Sequence, residues 1–459
     1  MKPHSICGDC LEKQRRIDQL LEENNQLKAQ LRYRDKKQTE GFFGSSTPSA
    51  QRPVKANTEP EKQSKRGGLL KGHKGHGRKG FSPDEAARVV DVGVDAECPD
   101  CGRPMDDKGI RCRSVLEIPP PRPEPILFRL RKNYCPHCKK THQAQAPAVL
   151  PKALLGNQLT ARIAFMHYVH GIPLGRICDQ MGLDLGTVVQ MLHRLASLFK
   201  SVVPRLVELY RAAPVRHADE TSWRTDGRSG YAWLFCTPDL SLFLFRSTRA
   251  ASVPREVLGT DPLAGVLVVD RYNGYNRVPC KLQYCYAHLM REVEDLAREF
   301  PDHAEVTAFT AAFIPLLASA MHLRGLPIDD QDYSGRAAAL KLSIVSASQQ
   351  PAQHLGIRHI QDIFRDHADR LYHWVDDRSV PAENNRSERE LRPTVIARKV
   401  SFGSQSEAGA KTREILMSVL HTLKKRRQHP EDYFKNVLDH LAEDIHQDIA
   451  SLLLPADSS

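Results

Sequence analysis

The chain has 459 residues, a net charge of +11 and an ordinary hydrophobic content of 41%. This length exceeds what a single hydrophobic core serves, so several folded units are expected, and the excess of Lys and Arg favours a polyanionic partner. We find neither an apolar run suited to span a bilayer nor an apolar segment near the N-terminus, so no membrane segment and no secretion are expected. A cytoplasmic, nucleoid-associated protein is predicted.

Residues 1–35 predict a coiled-coil zipper. Apolar residues and one Asn recur at alternating steps of three and four positions: Ile17, Leu20, Asn24, Leu27 and Leu31. Such a seam buries against a second helix, and an Asn within it selects register and partner number. We therefore predict a homo-oligomer; the alternative is a helix that packs on its own chain. Residues 36–85 follow as a basic, flexible linker, which either lies on DNA phosphates or only tethers its neighbours.

Residues 86–148 predict a zinc-binding module. Two Cys-x-x-Cys pairs can supply a closed four-thiolate site, which suits structural Zn²⁺; a thiol redox pair is the alternative, but no βαβ pattern surrounds it. A third pair, Cys7 and Cys10, has no second pair nearby and predicts no metal. The proposed zinc ligands are Cys98, Cys101, Cys135 and Cys138.

Residues 149–205 predict a helical domain that resembles a helix-turn-helix, with a turn at Gly182-Leu183-Asp184. The second helix would present Gln190 and Arg194, with Thr187 and His193, to a DNA groove. Helical hairpins of this spacing also occur in proteins that never touch DNA.

Residues 206–425 predict an α/β core, with a helical insertion at about 292–375 and a helical tail at 426–459. One predicted strand ends at Asp219, a second ends at Asp270, and Glu388 lies in a later helix. Carboxylates on adjacent strands and a crossing helix can hold two divalent ions about 4 Å apart, the arrangement used in phosphodiester chemistry. Hard oxygen ligands suit Mg²⁺ or Mn²⁺. The alternative is that such acids only cap strand ends.

Ordered motifs along almost the whole chain resemble transposases of the insertion sequence 66 family. The resemblance rests on the zipper, Phe-Gly-Ser-Ser, Gly-His-x-Gly-His-Gly-Arg, Cys-Pro-Asp-Cys-Gly, His-Ala-Asp-Glu-Thr, Asp-x-Tyr-x-Gly-Tyr, Cys-x-Ala-His-x-x-Arg and Asn-Asn-x-x-Glu-Arg-x-Leu-Arg-Pro. It implies a multidomain α/β protein with an RNase H-like core, whose catalytic triad falls by motif on Asp219, Asp270 and Glu388. It also implies double-stranded DNA as partner, both the terminal repeats of an element and the target, and possible accessory proteins.

Residues next to the triad have expected roles of their own. Glu220 should point to the opposite sheet face from Asp219, because side chains alternate along a strand. Glu383 would cap or ligate, His288 and Arg291 would orient phosphate or support Asp270, and Cys285 is expected to pack. The predicted phosphate contacts are Arg389, Arg392, Arg398 and Lys399.

Two other functions stay open at this point. One is a metal-dependent nuclease without joining activity, and the other is a DNA-binding regulator or partner subunit whose core no longer turns over.

Overall fold

The computed structural model describes residues 8–40, 84–85, 89, 123–137 and 139–454. Two compact units divide the chain, residues 1–53 with 124–459, and residues 54–123. Most of the second unit lies outside the described residues, as do Cys7 and three of the predicted zinc ligands, Cys98, Cys101 and Cys138. The zinc module and the basic linker therefore stay predictions.

The first helix, α1 (Gly8–Glu40), covers the predicted zipper. Ile17, Leu20, Leu27 and Leu31 are each about half exposed, whereas Ala29 is buried. Arg32 forms an ion pair with Glu299 of the same chain. The helix thus touches its own protein through one face and leaves the apolar seam accessible; self-association stays a prediction.

A hairpin of β1 (Lys132–Cys135) and β2 (Lys140–Gln143) surrounds the second Cys-x-x-Cys sequence. The backbone turns between the strands through Lys139, whose φ is 53°. Cys135 therefore stands at the end of a strand, next to a tight turn, as a metal-binding knuckle requires.

Between residue 157 and the main sheet lie four helices, the first three within the helical domain that the sequence predicts at 149–205. They are α2 (Asn157–Tyr168), α3 (Leu174–Met181), α4 (Leu185–Phe199) and α5 (Val202–Ala212). Gly182 ends α3 in the left-handed conformation, φ 66°, and the Asp184 carboxylate accepts a hydrogen bond from the Thr187 N–H at 2.9 Å to start α4. Their buried side chains belong to the same hydrophobic cluster as those of the sheet.

The main sheet has five strands in the order β5-β4-β3-β6-β7, the first three antiparallel and the last two parallel to β3. Crossover helix α6 (Ser252–Leu258) leads from β5 to β6. The strands are β3 (Val215–Thr225), β4 (Arg228–Cys236), β5 (Ser241–Arg246), β6 (Val266–Val269) and β7 (Lys281–Tyr284).

The sequence placed the end of the third strand too early. It predicted a strand that stops at Asp219, but β3 continues to Thr225, because a two-residue turn at Asp226-Gly227 folds β4 back along its full length. Both turn residues have positive φ, 52° and 71°, the conformation that Asp-Gly favours in tight hairpins. The sequence also predicts a hairpin across Thr237-Pro-Asp-Leu, and the structure confirms it as β4 and β5.

Helices follow the sheet, and several of them occupy the span in which the sequence predicts a helical insertion. These are α7 (Tyr286–Glu299), α8 (Ala304–Leu323), α9 (Asp330–Ser348), α10 (Leu355–Asp366), α11 (His373–Asp376), α12 (Asn385–Ser401), α13 (Glu407–Arg426), α14 (Pro430–Glu443) and α15 (Ile449–Leu453).

Helix α8 is long and apolar enough, by length and composition alone, to cross a membrane. Its buried residues, Val306, Thr310, Phe313, Leu317 and Ala320, recur at steps of three and four positions. That spacing is typical of an amphipathic helix packed on a protein core.

Helix α13 runs along the outer edge of the sheet and closes it. Backbone N–H groups of Ser241, Phe243 and Phe245 on β5 donate to the side chains of Thr422, Ser418 and Glu414, at 3.1, 2.9 and 3.1 Å. Alternate residues of the strand thus meet every fourth residue of the helix. An edge that would otherwise expose its donors is satisfied by side chains. We call these three contacts the edge ladder.

Candidate functional site

Asp219 and Asp270 stand at matching positions on neighbouring parallel strands. The register pairs His217 with Val268, an offset of 51 residues, and the same offset carries Asp219 onto Asp270. Neighbouring strands lie about 4.8 Å apart, and residues in register point to the same face. The two carboxylates are therefore adjacent, and the predicted neighbourhood of these strands is confirmed.

Both carboxylates are largely buried and oriented by backbone donors. The Asp219 side chain accepts a hydrogen bond from the Glu220 N–H at 2.8 Å, and that of Asp270 accepts from the Tyr272 N–H at 2.9 Å. Asp270 follows the last residue of β6, so the chain turns away there while β3 continues. Asp219 thus lies where β3 loses its parallel neighbour.

Asn384 fixes the start of α12 on β3. Its amide donates to the Ala218 carbonyl at 2.8 Å, its Oδ1 lies 2.9 Å from His217 Nδ1, and its backbone N–H lies 3.1 Å from Cys285 Sγ. Burial lowers the pKa of His217 to about 4, partly offset by the hydrogen bond to Asn384. The imidazole is thus neutral at pH 7 and donates from Nδ1.

Glu388 lies one turn beyond Asn384, in a helix that is anchored on the face of β3 that carries His217 and Thr221. His217, Asp219 and Thr221 share that face because they alternate along the strand. At the far end of α12, Arg398 donates to Thr221 Oγ1 at 3.1 Å. The helix is therefore held at both ends, with Glu388 between the two anchors.

Three side chains from α7 and its N-terminus surround the Glu388 carboxylate. His288 Nε2 lies 3.8 Å from one of its oxygens and Arg291 Nη2 lies 3.7 Å from the other. Cys285 completes a cluster in which the sulfur, an imidazole nitrogen and a carboxylate oxygen all lie within 4.8 Å of one another. Burial, and next the charge of Glu388, raise the pKa of the Cys285 thiol to about 12.

Glu220 faces the other side of the sheet, as the alternation predicted. It is fully buried, forms an ion pair with Arg249 and accepts a hydrogen bond from the Tyr275 hydroxyl at 2.5 Å. Burial and the nearby charge of Asp270 raise the pKa of Glu220 to about 7, against the lowering effect of Arg249. The Arg249 guanidinium also lies 3.6 Å above the ring of Tyr272. Glu220 therefore supports the turn that follows Asp270.

The sequence reasoning missed Arg249 and Tyr275. Arg249 has no motif of its own, and only the charge of a buried Glu beside the site could have indicated that a cation must accompany it. Glu383, half-buried before α12, has its pKa raised mainly by burial.

Some of the predicted DNA-contact residues are exposed, and others form hydrogen bonds within the protein. Arg389, Arg392 and Lys399 are exposed on α12, whereas Arg398 bonds β3. On α4, Gln190 is exposed.

Two further α4 residues form hydrogen bonds to other segments of the protein. Arg194 donates to the carbonyls of Lys152 and Pro151, at 2.8 and 3.1 Å. His193 Nδ1 lies 2.6 Å from Thr412 Oγ1. Arg194 nevertheless stays exposed on α4.

Two adjacent carboxylates, Asp219 and Asp270, each oriented by a backbone N–H group, are oxygen donors of the kind that a hard divalent cation prefers. Buried side-by-side carboxylates repel each other, and a shared cation relieves that repulsion.

Comparison with known proteins identifies relatives along most of the chain. The family model described as Transposase IS66 family matches residues 152–412, a range that includes β3, β6 and α12. Uncharacterized protein y4qI of Sinorhizobium fredii (strain NBRC 101917 / NGR234) is 25% identical over 415 residues, 80% of this chain and 74% of the relative. Uncharacterized protein y4jD of the same strain is 25% identical over 449 residues, 85% of this chain and 83% of the relative.

Proposed function

Because the chain belongs to the Transposase IS66 family, we propose that it cuts the DNA ends of an insertion sequence and joins them to target DNA at Asp219, Asp270 and Glu388. The observation that carries the proposal is the register that sets Asp219 beside Asp270, under a helix that holds Glu388 over the same face.

The strand order supports an RNase H-like core. Three antiparallel strands in chain order, β5-β4-β3, are extended by two parallel strands, β6 and β7. In order of first appearance this reads 3-2-1-4-5, with the acids on the first and fourth strands. Asp270 follows the carboxyl end of β6, the parallel neighbour of β3, which is where sites on open α/β sheets are expected.

Asp219, Asp270 and Glu388 would hold Mg²⁺ or Mn²⁺, which supplies an activated water or 3′ hydroxyl and neutralises the leaving oxygen. The chain's own groups have separate tasks. Asp219 and Asp270 offer oriented oxygens from a rigid sheet, and Glu388 approaches from a helix held by Asn384. Arg291, beside Glu388, would contact a phosphate of the bound strand.

DNA binding is proposed for the exposed basic residues of α12 and for Gln190 of α4. Arg389, Arg392 and Lys399 would neutralise backbone phosphates, so affinity should fall steeply with salt. Arg398 and Arg194 are engaged by protein carbonyls and would act by positioning α12 and the 151–152 turn. Structural Zn²⁺ at Cys98, Cys101, Cys135 and Cys138 and a zipper dimer through α1 are parts of the same proposal.

Asp219→Asn tests the proposal. Loss of one carboxylate charge should lower the strand-transfer rate at least about 1000-fold, equivalent to roughly 4 kcal/mol of transition-state stabilisation. The measurement uses a DNA fragment with the element's ends, a target plasmid and Mg²⁺, and it quantifies joined products. Binding to the end fragment should be retained.

The matched control is Asp295→Asn, an exposed carboxylate of α7 that pairs with Arg298. Wild-type activity in Asp219→Asn would refute the site. Hydrolysis without joining by the unaltered protein would indicate a nuclease, and end binding with neither product would indicate a regulator with an inactive core.

A further inference from the structure

The cluster of Cys285, His288 and Glu388 has the donor types of a transition-metal site. Sulfur, imidazole nitrogen and carboxylate oxygen lie within 4.8 Å of one another, and His288 Nε2 is 3.8 Å from the nearer Glu388 oxygen. Two ligands bound tetrahedrally to one Zn²⁺ at about 2.0–2.3 Å lie roughly 3.3–3.8 Å apart. Small side-chain movements therefore bring all three donors onto one ion.

The backbone holds two of these donors firmly. Cys285 is the N-cap residue of α7 and His288 lies in its first turn, so both are fixed by the start of one helix, and both are buried. Glu388 comes from α12, and its side chain is 20% exposed. The cluster is thus closed by protein on two sides and accessible on the side of the carboxylate.

An outer contact also suits a metal-bound sulfur. The Asn384 N–H donates to Cys285 Sγ at 3.1 Å. A hydrogen bond of this kind stabilises a thiolate once its proton has left for solvent on metal binding. The thiolate and the carboxylate would together neutralise a divalent ion, and imidazole adds a neutral third ligand.

We propose that Cys285, His288 and Glu388 bind a borderline-soft divalent ion of the Zn²⁺ class, and that this ion inhibits DNA joining by withdrawing Glu388 from the magnesium site. The binding half stands on the cluster alone, and the inhibitory half rests on the proposed function. Mg²⁺ takes oxygen ligands and does not favour a thiolate, so the two ions would compete for one glutamate through different partners.

Cobalt binding tests the site directly. Co²⁺, a spectroscopic substitute for Zn²⁺, is titrated into full-length wild type and Cys285→Ser, after the predicted four-cysteine site has been filled with zinc. Wild type should gain a sulfur-to-cobalt absorption band that Cys285→Ser lacks. Because loss of an outer-shell partner already weakens metal binding up to about 100-fold, loss of a direct ligand should weaken it at least that much.

Cys178→Ser, a buried free cysteine of α3, is the matched control and should keep the band. His288→Asn is a second variant, in case Cys285→Ser fails to fold; it should retain a weaker, shifted band. Identical spectra for wild type and either folded variant would overturn the site.

Zinc dependence of joining separates this inference from the proposed function. Half-inhibition by Zn²⁺ at constant Mg²⁺ should need at least about 10-fold more zinc in Cys285→Ser than in wild type, each compared with its own zinc-free rate. Equal half-inhibition would overturn the inhibitory role. If no variant joins DNA, the proposed function fails, whereas the cobalt spectra still decide the metal site.

Discussion

Helices α12 and α13 both meet the sheet through polar side chains, but they do so in opposite ways. Helix α13 contacts β5 at every second residue through the edge ladder of Glu414, Ser418 and Thr422. Helix α12 contacts β3 through Asn384 and Arg398, near its two ends. The interval between these anchors holds Glu388. The ladder stabilises the sheet edge, whereas the two anchors of α12 position the residue between them.

Of changes to these two helix–sheet junctions, breaking the anchor of α12 should have the largest effect. Asn384→Ala removes contacts to Ala218 and His217, so Glu388 would shift relative to Asp219. A displacement of about 1 Å can cost about 100-fold in rate, so strand transfer should fall by at least that factor. Kinetics with the end-containing DNA would measure it, together with the Mg²⁺ dependence.

Asn385→Ala is the control, because Asn385 is adjacent to Asn384 in the chain but is only half-buried. A positioning role predicts that raised Mg²⁺ partly restores Asn384→Ala, because weakened metal binding is one cause of its defect. An unchanged rate, or a loss explained wholly by unfolding at the assay temperature, would show that the anchor does not position Glu388.

A second prediction concerns pH and the α13 side of the comparison. His421 on α13 donates from Nε2 to the Tyr168 carbonyl at 3.0 Å, and burial lowers its pKa to about 4. The unfolded chain, with a His pKa of about 6.5, therefore binds more protons than the folded chain between those values. Stability should fall as pH drops from about 6.5 to 4, by roughly 3 kcal/mol from this residue, and level off below.

Urea unfolding at several pH values would measure that slope. His421→Gln, which keeps a donor but cannot titrate, should flatten it, while His440→Gln at an exposed position of α14 should leave it unchanged. Parallel slopes for wild type and His421→Gln would contradict the assignment.

The smallest predicted effect tests one rung of the edge ladder. Ser418→Ala leaves the Phe243 N–H buried without its acceptor, which should lower the free energy of unfolding by about 1–3 kcal/mol. Strand transfer at a temperature well below unfolding should stay near the wild-type rate, because this contact is on the edge strand β5 and the proposed site is on β3 and β6. Thermal unfolding and the joining assay together report both properties.

Ser343→Ala on α9 is a matched control, because its hydroxyl also bonds the carbonyl four residues earlier but contacts no strand. Equal destabilisation by both serine variants would mean that the strand contact contributes nothing.

Features that depend on neighbouring residues could be predicted from the sequence better than features that depend on distant contacts. The strand that leads to Asp270 and the β4–β5 hairpin follow from alternation and turn residues, and the structure confirms both. The helical character of the span after β7 follows from periodicity. The extension of β3 to Thr225 was missed because a long strand with two different neighbours has no sequence mark where one neighbour stops.

Contacts between distant segments were beyond the sequence for a different reason. Glu414, Ser418 and Thr422 resemble the polar positions of any helix, and only the fold places them beside β5. Likewise, Arg249 meets Glu220 across 29 residues, and Cys285 meets Glu388 across about a hundred. The register of Asp219 with Asp270 was an exception, because motifs had already ordered both residues.

The number of contacts in the edge ladder is limited because the helix and the strand have different repeat lengths. Four residues of helix advance about 6.0 Å, whereas two residues of strand advance about 6.6 Å, and the helix side chains rotate by roughly 40° at each step. The mismatch accumulates, so a fourth rung would be nearly 2 Å out of step. The next contacts come instead from long, adaptable side chains: Lys425 reaches the carbonyls of Thr237 and Leu240, and Arg426 reaches that of Asp239.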